Sequence, residues 1–125
     1  MRLLLDTHVF LRWLDDPNLL SDAAKEAIQD GSSVVYVSAA VVWEIVIKKT
    51  IGKLDAPEDL PAALAANRFV PLSITIQHAL AVASLPLVHR DPFDRILIAQ
   101  ARCEGLTLVS RDPNMPRHGV PHIVA

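Results

Sequence analysis

Residues 3–14 read LLLDTHVFLRWL, and this stretch sets the fold class. Three consecutive leucines make an apolar run too short for a helix, which suits a strand buried on both faces. Asp6 ends that run, and residues 7–14 then follow helical spacing. The same order returns along the chain. Val34-Val35-Tyr36-Val37 leads into a helix expected over residues 40–49, which carries Glu44. Leu106-Thr107-Leu108-Val109 leads to Asp112. A helix expected over 92–103 carries Asp94 in its first turn and ends at Gly105. Further strands are expected at 68–72 and 122–124, and further helices after the Ser21 cap to Gln29, over 57–67 and over 75–85, with a turn at 15–18. Short strands alternating with helices predict an α/β fold, one sheet with helices on both faces.

A chain of 125 residues that is 51% hydrophobic suits one domain, 1–125, with its own core. No apolar run approaches the roughly 18 residues of a membrane span. The start, Met1-Arg2 and then a short strand, lacks the apolar stretch and cleavage site of a signal peptide. The one cysteine, Cys103, excludes an internal disulfide framework and offers no zinc cluster. A cytoplasmic protein without a membrane segment is the expectation. A net charge of −2 argues against an indiscriminate polyanion binder. It leaves RNA binding open, because local placement of Lys and Arg decides that.

Asp6, Glu44, Asp94 and Asp112 each stand where a strand gives way to a turn or helix. In a parallel sheet the strand C-termini share one edge, and ligands bind there. Carboxylates gathered at such an edge repel one another unless a hard divalent cation neutralises them. Each acid also has a plainer account. Asp6 can cap a helix. Glu44 has Lys48 four residues on, a stabilising helix pair worth a few tenths of a kcal/mol. Asp91-Pro92 reads as N-cap and N1, leaving Asp94 at N3, where a carboxylate suits the helix dipole. Asp112 precedes Pro113-Asn114 and fits a turn. Four independent caps need not share one sheet edge, so the conjunction favours a metal site. Glu44 is also the lone acid in the middle of a helix that is apolar nearly all round, in which Trp43 and Ile47 read as core.

Four segments carry a family likeness: residues 3–14 already quoted, VSAAVVWEIVIKK at 37–49, HRDPFDRILIAQA at 89–101 and GLTLVSRD at 105–112. In order and spacing the chain resembles a PIN domain, and within that family the VapC-type toxins of bacterial or archaeal toxin–antitoxin pairs. The resemblance implies a three-layer α/β/α domain with a four- to five-stranded parallel sheet. It implies an endoribonuclease dependent on Mg²⁺ or Mn²⁺, an antitoxin protein that silences it, and a homodimer. Asp6, Glu44, Asp94 and Asp112 would be the catalytic acids in family order. Asp6 and Asp94 would hold the metal, with Glu44, Asp91 and Asp112 acting through water. PIN domains commonly carry a polar residue just before the third acid; here that residue is Phe93, which brings Asp91 forward as a helper.

The chemistry that fits is hydrolysis of an RNA phosphodiester, with one metal or two activating water and leaving 5′-phosphate and 3′-OH ends. Arg12, Lys48, Lys49, Arg90, Arg95 and Arg111 are candidates for phosphate contacts, although a charge on a helix is more often simply solvated. Thr7, Ser38 and Ser110 are candidates to hydrogen-bond the site carboxylates, and helix capping explains Thr7 and Ser38 equally well. His8 reads as a surface or core residue. If Trp13, Leu14, Trp43 and Ile47 were exposed together, they would offer a groove for a partner helix or strand. Two other readings stand beside the nuclease. One is a non-catalytic PIN-like binding module. The other is a haloacid dehalogenase-like phosphatase, whose strand-end nucleophile needs a second Asp two residues on, where this chain has His8.

Overall fold

The computed structural model describes residues 1–86, 91–112 and 119–125. Five parallel strands form one sheet in the order β3-β2-β1-β4-β5. They are β1 (Arg2–Leu5), β2 (Val34–Ser38), β3 (Val70–Leu72), β4 (Thr107–Ser110) and β5 (His122–Val124). Leu3, Leu4 and Leu5 are all 0% exposed, so the central strand is covered on both faces. That is why its sequence is unbroken leucine rather than alternating. The architecture is three-layered, α/β/α. The chain leaves β1 for β2 and β3 on one side, then returns to β4 and β5 on the other. The sheet therefore has its switch point between β1 and β4, where parallel sheets open a crevice at the strand ends.

The helices are α1 (Thr7–Asp15), α2 (Asp22–Gln29), α3 (Ala39–Thr50), α4 (Leu60–Ala66), α5 (Ile76–Ala81) and α6 (Pro92–Glu104). Each begins at a side chain that accepts a backbone N–H: Asp6, Ser21, Ser38, Asp59, Thr75 and Asp91. α1 packs against β4 and α3, α2 against β5, and α6 against β4, α3 and α5. His78, 1% exposed, joins α5 to the end of α6. Its Nδ1 accepts the Thr75 N–H at 3.1 Å, which turns the Nε2 proton toward Glu104 Oε1, 2.8 Å away.

Several boundaries differ from the sequence reading. The helix expected over 57–67 starts only at Leu60, because Asp59 caps it and leaves Pro57 outside. The strand expected from 68 starts at Val70, because Arg68 takes a left-handed φ of 57° to close α4. The helix expected over 75–85 ends at Ala81 and tightens into a 3-10 turn, Val82–Ser84. The larger correction concerns α3. Ala40, Val41, Glu44 and Ile45 are buried, but Trp43, Val46 and Ile47 are exposed, Trp43 by 59%. Trp43 and Ile47 are not core. Apolar residues all round a helix do not ensure that its own chain covers every face. Among the described residues, no helix is long and apolar enough to cross a membrane.

Candidate active site

Asp6 stands where β1 becomes α1. Its N–H bonds the Val109 carbonyl at 3.1 Å, and its Oδ1 accepts the Val9 N–H at 2.8 Å. The side chain is thus both a cap and a buried carboxylate, 7% exposed. Burial pushes its pKa above the ordinary carboxylate value. Hydrogen bonds from the Ser110 hydroxyl and the Val9 N–H, and the nearby His8 and Arg12, oppose that push. Ser110 is itself fully buried and accepts the Asp112 N–H at 3.0 Å. One hydroxyl therefore links the acid after β1 to the backbone of the acid after β4.

Glu44 is 6% exposed, one turn and a half into α3. Its Oε1 accepts the Thr7 hydroxyl, and its Oε2 lies 2.5 Å from Lys48 Nζ. The hydrogen bond to Glu44 raises the Lys48 pKa; burial partly offsets this, and the charges of Glu44, Asp91 and Asp94 add to it. Asp91 caps α6, accepting the Phe93 N–H at 2.8 Å and the Asp94 N–H at 3.4 Å. Asp94 follows in the first turn, half-buried.

These groups line one cavity of about 360 Å³. Five carboxylates border it: Asp6, Glu44, Asp91, Asp94 and Asp112. So do Arg12, Lys48, Arg111, Thr7 and His8. A wider cleft of about 650 Å³ shares His8 and Arg12 and runs on past Leu11, Leu14, Leu54 and Pro57. His8, set aside in the sequence reading, is exposed and borders both spaces. No local signal marks it, because its direction depends on how α1 leaves the sheet.

Other candidates lie elsewhere. Arg95 does not line the cavity; its guanidinium donates to the carbonyls of Pro86 and Val82, each at 3.0 Å, and ties α6 to the preceding turn. Lys49 donates to the Ala56 carbonyl and pairs with Glu58. Ser38 is buried and caps α3 through the Ala40 N–H. Arg90 and the Pro113-Asn114 turn lie outside the described residues. Phe93 packs edge-on against Trp43, ring centres 5.2 Å apart, at the outer side of α3 and α6.

Among the described residues, no three His, Cys, Asp or Glu side chains stand close enough to hold a metal ion between them. The chemistry of the donor set still fits a hard cation. The acidic donors are all carboxylate oxygens, and Mg²⁺ keeps several waters while binding one or two carboxylates. The buried Asp6 is also a carboxylate that burial disfavours in its charged form, which a cation would reverse.

The PIN domain family model matches residues 3–121, nearly the whole chain. The chain belongs to the PIN domain family. Solved structures share the fold of this PIN domain at low identity. VapBC2 from Rickettsia felis, bound to a DNA fragment from its promoter, aligns over 99% of this chain and 98% of that one, with TM-score 0.72 and 15% identity. DNA-bound VapBC from Salmonella typhimurium gives 0.66 and 17%, over 99% and 98%. A toxin–antitoxin complex from Klebsiella pneumoniae gives 0.64 and 19%, over 97% and 95%. No curated protein sequence matches the PIN domain described here.

Proposed function

We propose that this PIN domain is a metal-dependent endoribonuclease and the VapC-type toxin of a toxin–antitoxin pair, acting as one domain over residues 1–125. The observation that supports this reading most is the convergence of Asp6, Glu44, Asp91, Asp94 and Asp112 on one cavity at the β1/β4 switch point. In this reading Asp6 and Asp94 hold Mg²⁺ or Mn²⁺, with Glu44, Asp91 and Asp112 acting through water. The cation supplies an activated water at neutral pH and neutralises charge on the scissile phosphate. Thr7 and Ser110 orient Glu44 and Asp6. Arg12 and Arg111 line the cavity, which supports a role for both in contacting RNA phosphates.

Purified protein with Mn²⁺ and a broad RNA pool tests the activity. Wild type should cut, and Asp6→Asn and Glu44→Gln should each lose on the order of 10²-fold or more. Equal behaviour of all three would sink the nuclease reading and favour a non-catalytic binding module. The reading also carries a protein partner, supported by neighbours that are VapBC and toxin–antitoxin complexes. The product of an adjacent gene should co-purify and stop cleavage; an unchanged rate would remove the antitoxin role. A homodimer and a cytoplasmic site of action belong to the same reading. Sedimentation at micromolar concentration should give twice the monomer mass.

A further inference from the structure

Lys48 puts an ammonium group inside the acid cavity. Its Nζ lies 2.5 Å from Glu44 Oε2, while the other oxygen of Glu44 takes the Thr7 hydroxyl. An exposed i,i+4 pair contributes little and is screened by water. This pair differs: the Glu44 side chain is only 8% exposed and that of Lys48 38%. The Asp91 and Asp94 charges act on the same ammonium, and Lys48 borders the same cavity as Asp6. One positive charge therefore pairs with Glu44 and lies within electrostatic reach of Asp91 and Asp94. A divalent ion drawn to those carboxylates meets that charge within the same cavity and is repelled by it.

We propose that Lys48 is a resident counter-cation of the acid cavity, which competes with the divalent metal for Glu44 and so sets the affinity at which metal binds. The proposal rests on the cavity being a divalent-cation site. A Lys48 that only braces α3 would affect stability and leave metal affinity alone.

Calorimetric titration of Mn²⁺ into the full chain separates these roles, using wild type, Lys48→Met, Lys48→Arg and Asp6→Asn. Lys48→Met keeps the stem and removes the charge, and should bind Mn²⁺ about tenfold more tightly. Lys48→Arg keeps a cation and should stay near wild type. In thermal melts Lys48→Met should unfold earlier without metal, and gain more than wild type when Mn²⁺ is added. Should Lys48→Met not fold, Lys48→Gln carries the same expectation. If Asp6→Asn abolishes binding while Lys48→Met matches or weakens wild-type affinity, this proposal is overturned and the metal site stands. If no form binds Mn²⁺, both are overturned.

Discussion

Thr7 donates its hydroxyl proton to Glu44, joining the first residue of α1 to the middle of α3. Both side chains are buried, and Thr7 directly follows Asp6. The acid at the end of β1 and the acid on α3 are thereby set in one frame. Thr7→Val keeps the shape and removes the donor, leaving Glu44 with Lys48 alone. A hydrogen bond to a charged group contributes roughly 1.5–3 kcal/mol, so urea unfolding should show a loss of about that size. RNA cleavage should fall by about tenfold as Glu44 loses its orientation. Wild-type stability in this variant would mean that the bond contributes nothing.

Ser110 makes the corresponding joint between strands. Its hydroxyl favours the charged form of Asp6 and accepts the Asp112 N–H, and it is fully buried. Ser110→Ala strips a donor from a buried carboxylate and removes the hydroxyl that accepts the Asp112 N–H, at a cost of about 1–3 kcal/mol. A double-mutant cycle with Asp6→Asn isolates the share that runs through Asp6. The two changes should be non-additive; strict additivity would show that Ser110 acts only on Asp112.

Burial raises the folded-state pKa of Asp6 above its ordinary value of 3.8. Between 3.8 and that raised value the folded chain binds the proton more readily than the unfolded one. The stability this group contributes is therefore fully present below 3.8 and is lost as pH rises through the folded pKa. In chelator, wild type should lose stability relative to Asp6→Asn as pH climbs from about 3.5 to 7. Added Mn²⁺ should stabilise wild type and leave Asp6→Asn unmoved. A stability difference that stays flat with pH would show that Asp6 titrates normally.

Arg68 closes α4 from the left-handed region, φ 57°. Its N–H bonds the Ala65 carbonyl at 3.1 Å, and the next N–H, of Phe69, bonds Leu64 at 2.9 Å. This ending normally uses glycine, because a side chain there is strained by about 1 kcal/mol. Arg68→Gly should raise stability by roughly 0.5–1 kcal/mol in thermal or urea unfolding. Arg68 lies away from the acid cavity, so cleavage should not change. A destabilised variant would show that the Arg68 side chain contributes more than the strain costs.

Much of the fold was legible because its causes are local. Leu3-Leu4-Leu5 had to be a strand buried on both faces, and Asp91-Pro92 and Gly105 mark the ends of α6 by their own backbone preferences. Glu44 was legible as an oddity, the lone acid in an apolar helix. The sidedness of α3 was not legible, since Trp43 and Ile45 are equally apolar yet face opposite ways. Nor was the direction of Arg95, which two backbone carbonyls settle.

The sequence by itself determined the order of strands and helices and the acids at their junctions, because spacing and capping act over a few residues. Only the tertiary structure decided which of those groups meet. Ser110 acts on Asp6 because β1 and β4 pair in parallel with Leu5 beside Val109, residues more than a hundred positions apart. The seat of Lys48 among Glu44, Asp91 and Asp94 likewise depends on α3 lying against α6. Such juxtapositions follow from packing two faces of a sheet at once, and no stretch of the chain carries a local trace of them.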